Sequence, residues 1–219
     1  LFWNKIRKND TFDVVKAALH RDRERYVFAG GGGLGFYGGG VRMGVERLLK
    51  AFDVDYVDVF HLFWLGRMSA FTDGVVKELV KLREEGLVHA LGVSIHDRPR
   101  AGKLAVESPL DLLMIRYNAA HPGAEQDIFP RYAERRPITV AYTATSWGKL
   151  LRRPKGWDGP IMSPGQCYRF CLSSPHVDVV LCGADSTAHL TEDLAALQEG
   201  PLVEEEDAFV RRFGHAVHG

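Results

Sequence analysis

Two kinds of stretch take turns along this chain. Near-continuous apolar, β-branched runs recur at Tyr26–Ala29, Tyr56–Leu62, Val88–Val93, Leu112–Ile115, Ile138–Ala141 and Val177–Leu181. Runs of this kind predict strands covered on both faces, as in parallel sheets. Between them the apolar positions take a helical period. Helices are predicted over Phe12–Leu19, after the cap pair Asp10-Thr11, and over Val41–Phe52, where Val45, Leu48, Leu49 and Phe52 share a face. Further helices are predicted over Asp73–Glu85, Gln166–Leu172, Ala188–Leu197 and Glu204–Phe213. The clearest unit runs from Asp53 to Asp97: a strand, a loop, a helix closed by Gly86, and a second strand, VHALGVS.

Strand–helix alternation of this length predicts an α/β chain, either a (β/α)8 barrel or an open doubly wound sheet. Nothing reads as a linker, so residues 1–219 are expected to form one domain. The Pro- and Gly-rich segment Arg152–Gly165 fits a long loop after a strand, a common carrier of function.

Composition narrows the class. With 46% hydrophobic residues and a formal net charge of +0 over 219 residues, the chain can bury a full core and carries no basic stripe for nucleic acid. No apolar run approaches the roughly 20 residues of a membrane helix, and no signal peptide is read. The first residue is not Met, and Leu1-Phe2-Trp3 reads as a strand, so the N-terminus is expected to be cut from a longer protein. Cys167 and Cys171 make a C-x3-C pair without a companion pair, a poor zinc site; with Cys182 they are read as buried reduced thiols in a cytoplasmic protein, and no metal is expected.

The segment AGGGGLGFYGGG, Ala29 to Gly40, formally contains G-x-G-x-x-G at Gly30, Gly32 and Gly35, with Asp53 and Asp55 where a ribose-binding acid would sit. So many glycines meet that spacing by chance, and the helix predicted from Val41 starts too late to receive a pyrophosphate. A flexible barrel loop is the preferred reading.

Five phrases in order carry a resemblance: VERLLKAFDVDYVDVFHLFW, LREEGLVHALGVSIHD, MIRYNAAHPGAEQDIFP, VAYTATSWGKLL and YRFCLSSPHVDVVLCGADSTAHLTEDLAAL. Together they resemble the aldo/keto reductases, nicotinamide-dependent carbonyl reductases on a (β/α)8 TIM-type barrel. The resemblance implies a barrel lacking the first strand and the N-terminal hairpin, with Leu1–Trp3 as the second strand. It implies NADP or NAD as cofactor, a small-molecule carbonyl substrate, and neither nucleic acid nor membrane as partner.

The family's catalytic set is an Asp, a Tyr that gives the proton, a Lys and a His. The resemblance puts the Asp region at Trp3-Asn4-Lys5, the Tyr near Lys8, the Lys at Gly31 and the His at Phe63. Substitute candidates at strand ends are Lys8, Tyr37, His96 and Tyr117, with Lys5, Arg116 and His121 beside them, and His61 deeper on the same strand face as Phe63. The cofactor half keeps more. Ser94 matches the Ser that holds the nicotinamide amide, although Ile95 and Met114 replace the family's Asn and Gln. Tyr142 matches the ring that stacks on nicotinamide. Gly148 and Leu150 are in register with the pyrophosphate loop, and Gly183, Ser186, His189, Glu192 and Asp193 follow the adenosine-end pattern. Trp64 falls where family members line the substrate pocket, and Asp58 is expected to be a structural hydrogen-bond partner. The expected activity is nicotinamide-dependent carbonyl reduction; the alternative is an inactive barrel that binds a nucleotide or a partner.

Overall fold

The computed structural model describes residues 10–32, 35–133 and 135–218. The predicted strand Leu1–Trp3 and the candidates Lys5 and Lys8 lie outside them. The chain divides into two compact units, Leu1–His96 with Glu107–Leu112, and Asp97–Val106 with Leu113–Gly219. The strands follow chain order, β1-β2-β3-β4-β5-β6.

In the first unit, α1 (Asp10–Arg21) precedes β1 (Ala29–Gly32), α2 (Gly38–Phe52), β2 (Val57–Leu62), α3 (Asp73–Glu84) and β3 (Val88–Ile95). The three strands are parallel neighbours, with Gly31 opposite His61 and His61 opposite Gly92. Val57, Val59, Phe60, His61 and Leu62 of β2 and Leu91 to Ile95 of β3 are buried, the signature of strands covered on both faces. Helix α3 forms where predicted. Thr72 Oγ1 accepts from the Val75 N–H at its start, Val75, Leu79 and Leu82 bury one stripe, and Gly86, at φ 76°, follows its end. Phe52 of α2 packs its ring 4.7 Å from both Phe12 and Phe28, closing a cluster with Leu19 and Val57. Arg42 of α2 reaches Glu78 on α3 and grips Glu85 with two bonds, at 2.9 and 3.0 Å. Asp58 holds the start of this unit: it accepts from Arg23 at 2.6 Å and from the Phe28 N–H at 2.7 Å. Its structural role is as expected.

The glycine run differs from the expected loop. Gly30, Gly31 and Gly32 lie in β1, and Gly38 to Gly40 open α2, so the predicted strand Tyr26–Ala29 is displaced toward the C-terminus. The reason is packing. A Cβ at Gly30 would meet Leu48 of α2 at 2.8 Å, and one at Gly32 would meet the Gly44 Cα at 3.2 Å. The glycines bring helix and strand together, which propensity alone would not reveal.

In the second unit, α4 (Arg98–Glu107) precedes β4 (Leu112–Arg116), α5 (Ala124–Asp127), β5 (Ile138–Tyr142), α6 (Pro164–Ser173), β6 (Val179–Val180), α7 (Thr187–Glu199) and α8 (Glu204–His218). Helix α4 is absent from the predicted set because its buried face is Ala101, Gly102 and Ala105, too small to make an apolar stripe. Helix α6 starts on a full capping box, Ser163 with Gln166, with Pro164 in its first turn. Inside it, Arg169 is buried and bonds Glu206 through two nitrogens at 2.8 and 2.7 Å, Glu199 at 3.0 Å and the Gly200 and Pro201 carbonyls. One guanidinium thereby ties α6 to the α7–α8 corner.

Candidate active site

Strands β4 and β5 end in polar segments. Tyr142, the last residue of β5, is half-buried, and desolvation raises the pKa of its hydroxyl. The loop that follows bends sharply: Thr143, Ser146 and Trp147 have φ of 55°, 50° and 55°, and Gly148 has 77°. Left-handed backbone at non-glycine residues costs about 1 kcal/mol or more each, and such strain gathers at functional segments. The loop is held by Asn118, whose amide donates to the Thr143 carbonyl at 2.8 Å, and by Thr145 Oγ1, which accepts from the Gly148 N–H at 3.2 Å.

After β6, Cys182 to Leu190 is exposed. Ser186 caps α7 by accepting from the His189 N–H at 3.1 Å, and His189 Nδ1 bonds Asp185. Cys182 Sγ donates to Asp193 Oδ2 at 2.9 Å. Its exposure departs from the expected burial, whereas Cys167 and Cys171 are buried, and desolvation pushes the Cys167 thiol up to about 12. No disulfide joins them.

These two segments line one cavity of about 500 Å3, with Tyr142, Gly183, His189 and Asp193 in its wall beside Tyr168 and Trp147. The strands and helices of the second unit thus bring together four of the predicted cofactor residues. Gly148 and Ser186 act one step back, as a turn and a cap. Leu150 is fully buried and anchors the loop from below. Trp147, 63% exposed at the rim, was not singled out from the sequence; a Trp beside a glycine in a strand-end loop was the available signal. Ser94 belongs to the first unit. Its Oγ accepts from the Trp64 N–H at 2.9 Å and its carbonyl accepts from the Leu65 N–H at 2.9 Å, fixing the turn after β2.

The catalytic candidates lie in both units. Tyr37 stands at the N-cap position of α2 without a side-chain capping bond and is 55% exposed; His96 is exposed past β3. His61 is buried in β2, and its Nδ1 has no hydrogen-bond partner among the described residues. Burial without a partner pushes it down to about 4, so the ring is neutral at pH 7. Tyr117 is buried and donates to Glu125 Oε1 at 2.7 Å, against a second cavity of about 510 Å3 lined also by Phe129, Phe170 and Arg211. Desolvation, with Glu125 adding to it, holds its hydroxyl protonated well above the usual tyrosine range. Among the described residues no group of three His, Cys, Asp or Glu could hold a metal, and no helix is long and apolar enough to cross a membrane.

The sequence model of the aldo/keto reductase family matches residues 35–157. The chain belongs to the aldo/keto reductase family. Among solved structures it is similar to the aldo-keto reductase AKR11C1 from Bacillus halodurans in its holo form. The TM-score is 0.78 at 20% identity, over 92% of this chain and 77% of that one. It is also similar to an aldo/keto reductase from Klebsiella pneumoniae in complex with NADP and acetate, with a TM-score of 0.74 at 21% identity, over 93% and 75% of the two chains. No curated protein matches the sequence. The fold is α/β of the (β/α)8 barrel type, with six strands among the described residues. The doubly wound reading is set aside.

Proposed function

We propose that this aldo/keto reductase binds a nicotinamide dinucleotide in the cavity beside Tyr142 and acts as an oxidoreductase on a small carbonyl compound. The observation that carries the reading is that cavity, which draws Tyr142, Gly183, His189 and Asp193 into one wall. The donor set suits the group. A half-buried aromatic face can pack on a planar ring, a capped helix start favours a phosphate, and a volume of this size is usual for a cofactor site. The Klebsiella structure holds NADP, which supports NADP as the first cofactor to test, with NAD beside it.

A bound nicotinamide would supply the two electrons of carbonyl reduction. In this reading the chain's residues do the rest. Tyr142 orients the planar ring, the 143–148 loop and the N–H groups of the α7 start hold the phosphate end, and Trp147 shields the mouth.

A second reading, nucleotide binding without turnover, is favoured by one observation. The Phe63 ring fills the space over Gly31, at the two positions where the resemblance puts the family's His and Lys.

Titration with NADPH, followed by energy transfer from tryptophan, tests the first reading. Saturation in the micromolar range (roughly −8 kcal/mol) is expected, with NADPH oxidation by at least one member of an aldehyde and ketone panel. Saturation without any oxidation supports the second reading. No binding up to millimolar in a folded sample overturns both.

A further inference from the structure

One side of the α7 start is acidic, and it lines the cavity beside Tyr142. Glu192 and Asp193 stand three and four positions after His189, on the same side of the helix. Asp185, just before the Ser186 cap, bonds His189 Nδ1. Asp193 is half-buried, and its Oδ2 accepts from Cys182 Sγ at 2.9 Å. Asp185, His189, Glu192, Asp193 and Cys182 all line the same cavity of about 500 Å3.

The charge of this lining is one-sided. Elsewhere in the second unit acids end on arginines: Glu125 on Arg211, Asp178 on Arg136 and Glu206 on Arg169. Among the described residues no lysine or arginine lines the cavity, and none pairs with Asp185, Glu192 or Asp193. A proton on His189 would be matched by Asp185, which leaves Glu192 and Asp193 uncompensated. Carboxylates accept hydrogen bonds and donate none. This wall therefore suits a ligand that brings O–H donors and opposes one that brings further anionic oxygens.

We infer that Asp185, Glu192 and Asp193 set the cofactor preference of the cavity: they favour a nicotinamide dinucleotide whose adenosine ribose keeps its 2′-hydroxyl, NAD(H), over the 2′-phosphorylated NADP(H). The inference rests on the reading of this cavity as the dinucleotide site. The two cofactors differ only at that ribose oxygen. A 2′-hydroxyl is a donor to a carboxylate. A 2′-phosphate brings about two negative charges and acceptor oxygens, and an arginine ordinarily receives it. The pyrophosphate is common to both cofactors and cancels in the comparison. The repulsion acts wherever in the cavity the extra phosphate rests, because the lining holds no lysine or arginine to meet it.

The test is titration of the intact protein with NADH and, separately, with NADPH, followed by energy transfer from tryptophan at low and at high salt. NADH is expected to bind about fivefold or more tightly than NADPH, with the gap narrowing as salt screens the carboxylates. Glu192→Gln, at an exposed residue with no hydrogen bond or ion pair among the described residues, spares the fold and should cut the gap about twofold by tightening NADPH. Glu192→Gln combined with Asp193→Asn should leave a gap of about twofold or less. Glu205→Gln, exposed on α8 outside the lining, should leave it unchanged. A melting curve for each variant checks the fold. Equal affinity for the two cofactors, or tighter NADPH, overturns the inference and leaves the cavity as the dinucleotide site. A preference for NADH that neither Glu192 variant alters also overturns it. Failure of both cofactors to bind a folded sample overturns the dinucleotide reading of the cavity, and this inference with it.

Discussion

The ring of Phe63 lies directly on the backbone of Gly31. A Cβ added at Gly31 would stand 2.5 Å from Phe63 Cδ2 and nearer still to Cε2. His61, opposite Gly31 in the ladder, stacks nearly parallel to Phe63, with ring centroids 5.9 Å apart and planes 10° apart. The two residues form a matched pair: the phenyl ring occupies space that any side chain at residue 31 would need. A family-type Lys and His at these positions would have to arrive together.

Gly31→Ala is therefore expected to destabilise the protein by about 1–3 kcal/mol through overpacking. In a Phe63→Ala background the same change should cost less, the remainder coming from the His61 carbonyl oxygen, which the new Cβ would meet at 2.7 Å. Denaturant unfolding of the four proteins in a double-mutant cycle checks this; additive costs would break the pairing.

His61 makes stability depend on pH. Its pKa is about 4 in the folded chain against an ordinary 6.5. The unfolded chain takes up a proton as pH falls below 6.5 and the folded chain does not until about 4. Stability is thus full above pH 6.5 and is lost as pH falls to about 4, by about 3 kcal/mol. His61→Leu should flatten that part of the profile, measured by urea unfolding between pH 7 and 4.

Tyr117 is a structural tyrosine in this arrangement. Tyr117→Phe removes its bond to Glu125, but Glu125 keeps Arg211 at 3.0 and 3.1 Å. The expected loss is about 1 kcal/mol of stability, with NADPH affinity and any carbonyl turnover unchanged. A large loss of turnover with intact folding would instead make Tyr117 part of the chemistry.

Arg169→Met should cost about 3 kcal/mol, because it strips Glu199, Glu206 and two carbonyls of a shared donor at once. The partly exposed carboxylates soften the loss. Thermal unfolding would show it.

Ser186→Ala tests the cofactor end. It removes the α7 cap, worth about 1 kcal/mol, and should raise the NADPH dissociation constant several-fold while energy transfer from tryptophan at saturation persists. An unchanged dissociation constant would leave Ser186 as a cap alone.

The strand–helix rhythm was legible where a parallel strand is apolar on both faces, as β2 and β3 are, and where a helix shows one stripe. α3 with its Thr72 cap and Gly86 stop is the plainest case. Tyr142, Gly183, His189 and Asp193 were legible as a group because their segments lie at strand ends, which a (β/α) arrangement gathers locally. Helix α4 was not legible, since Ala101, Gly102 and Ala105 leave no stripe, and β1 was displaced because its glycines read as a loop.

By itself, then, the sequence determined most of the elements, their order and the strand-end segments that line the 500 Å3 cavity, all of which depend on neighbours within a few residues or on strand ends in series. Only the tertiary structure decided that Phe63 lies on Gly31, that Tyr117 turns to Glu125 and away from the 500 Å3 cavity, and that Arg136 finds its acid partner 42 positions away in Asp178. Those outcomes turn on register and burial between segments distant in the chain. A guanidinium or a glycine looks the same in sequence whether or not its space and its charge are matched.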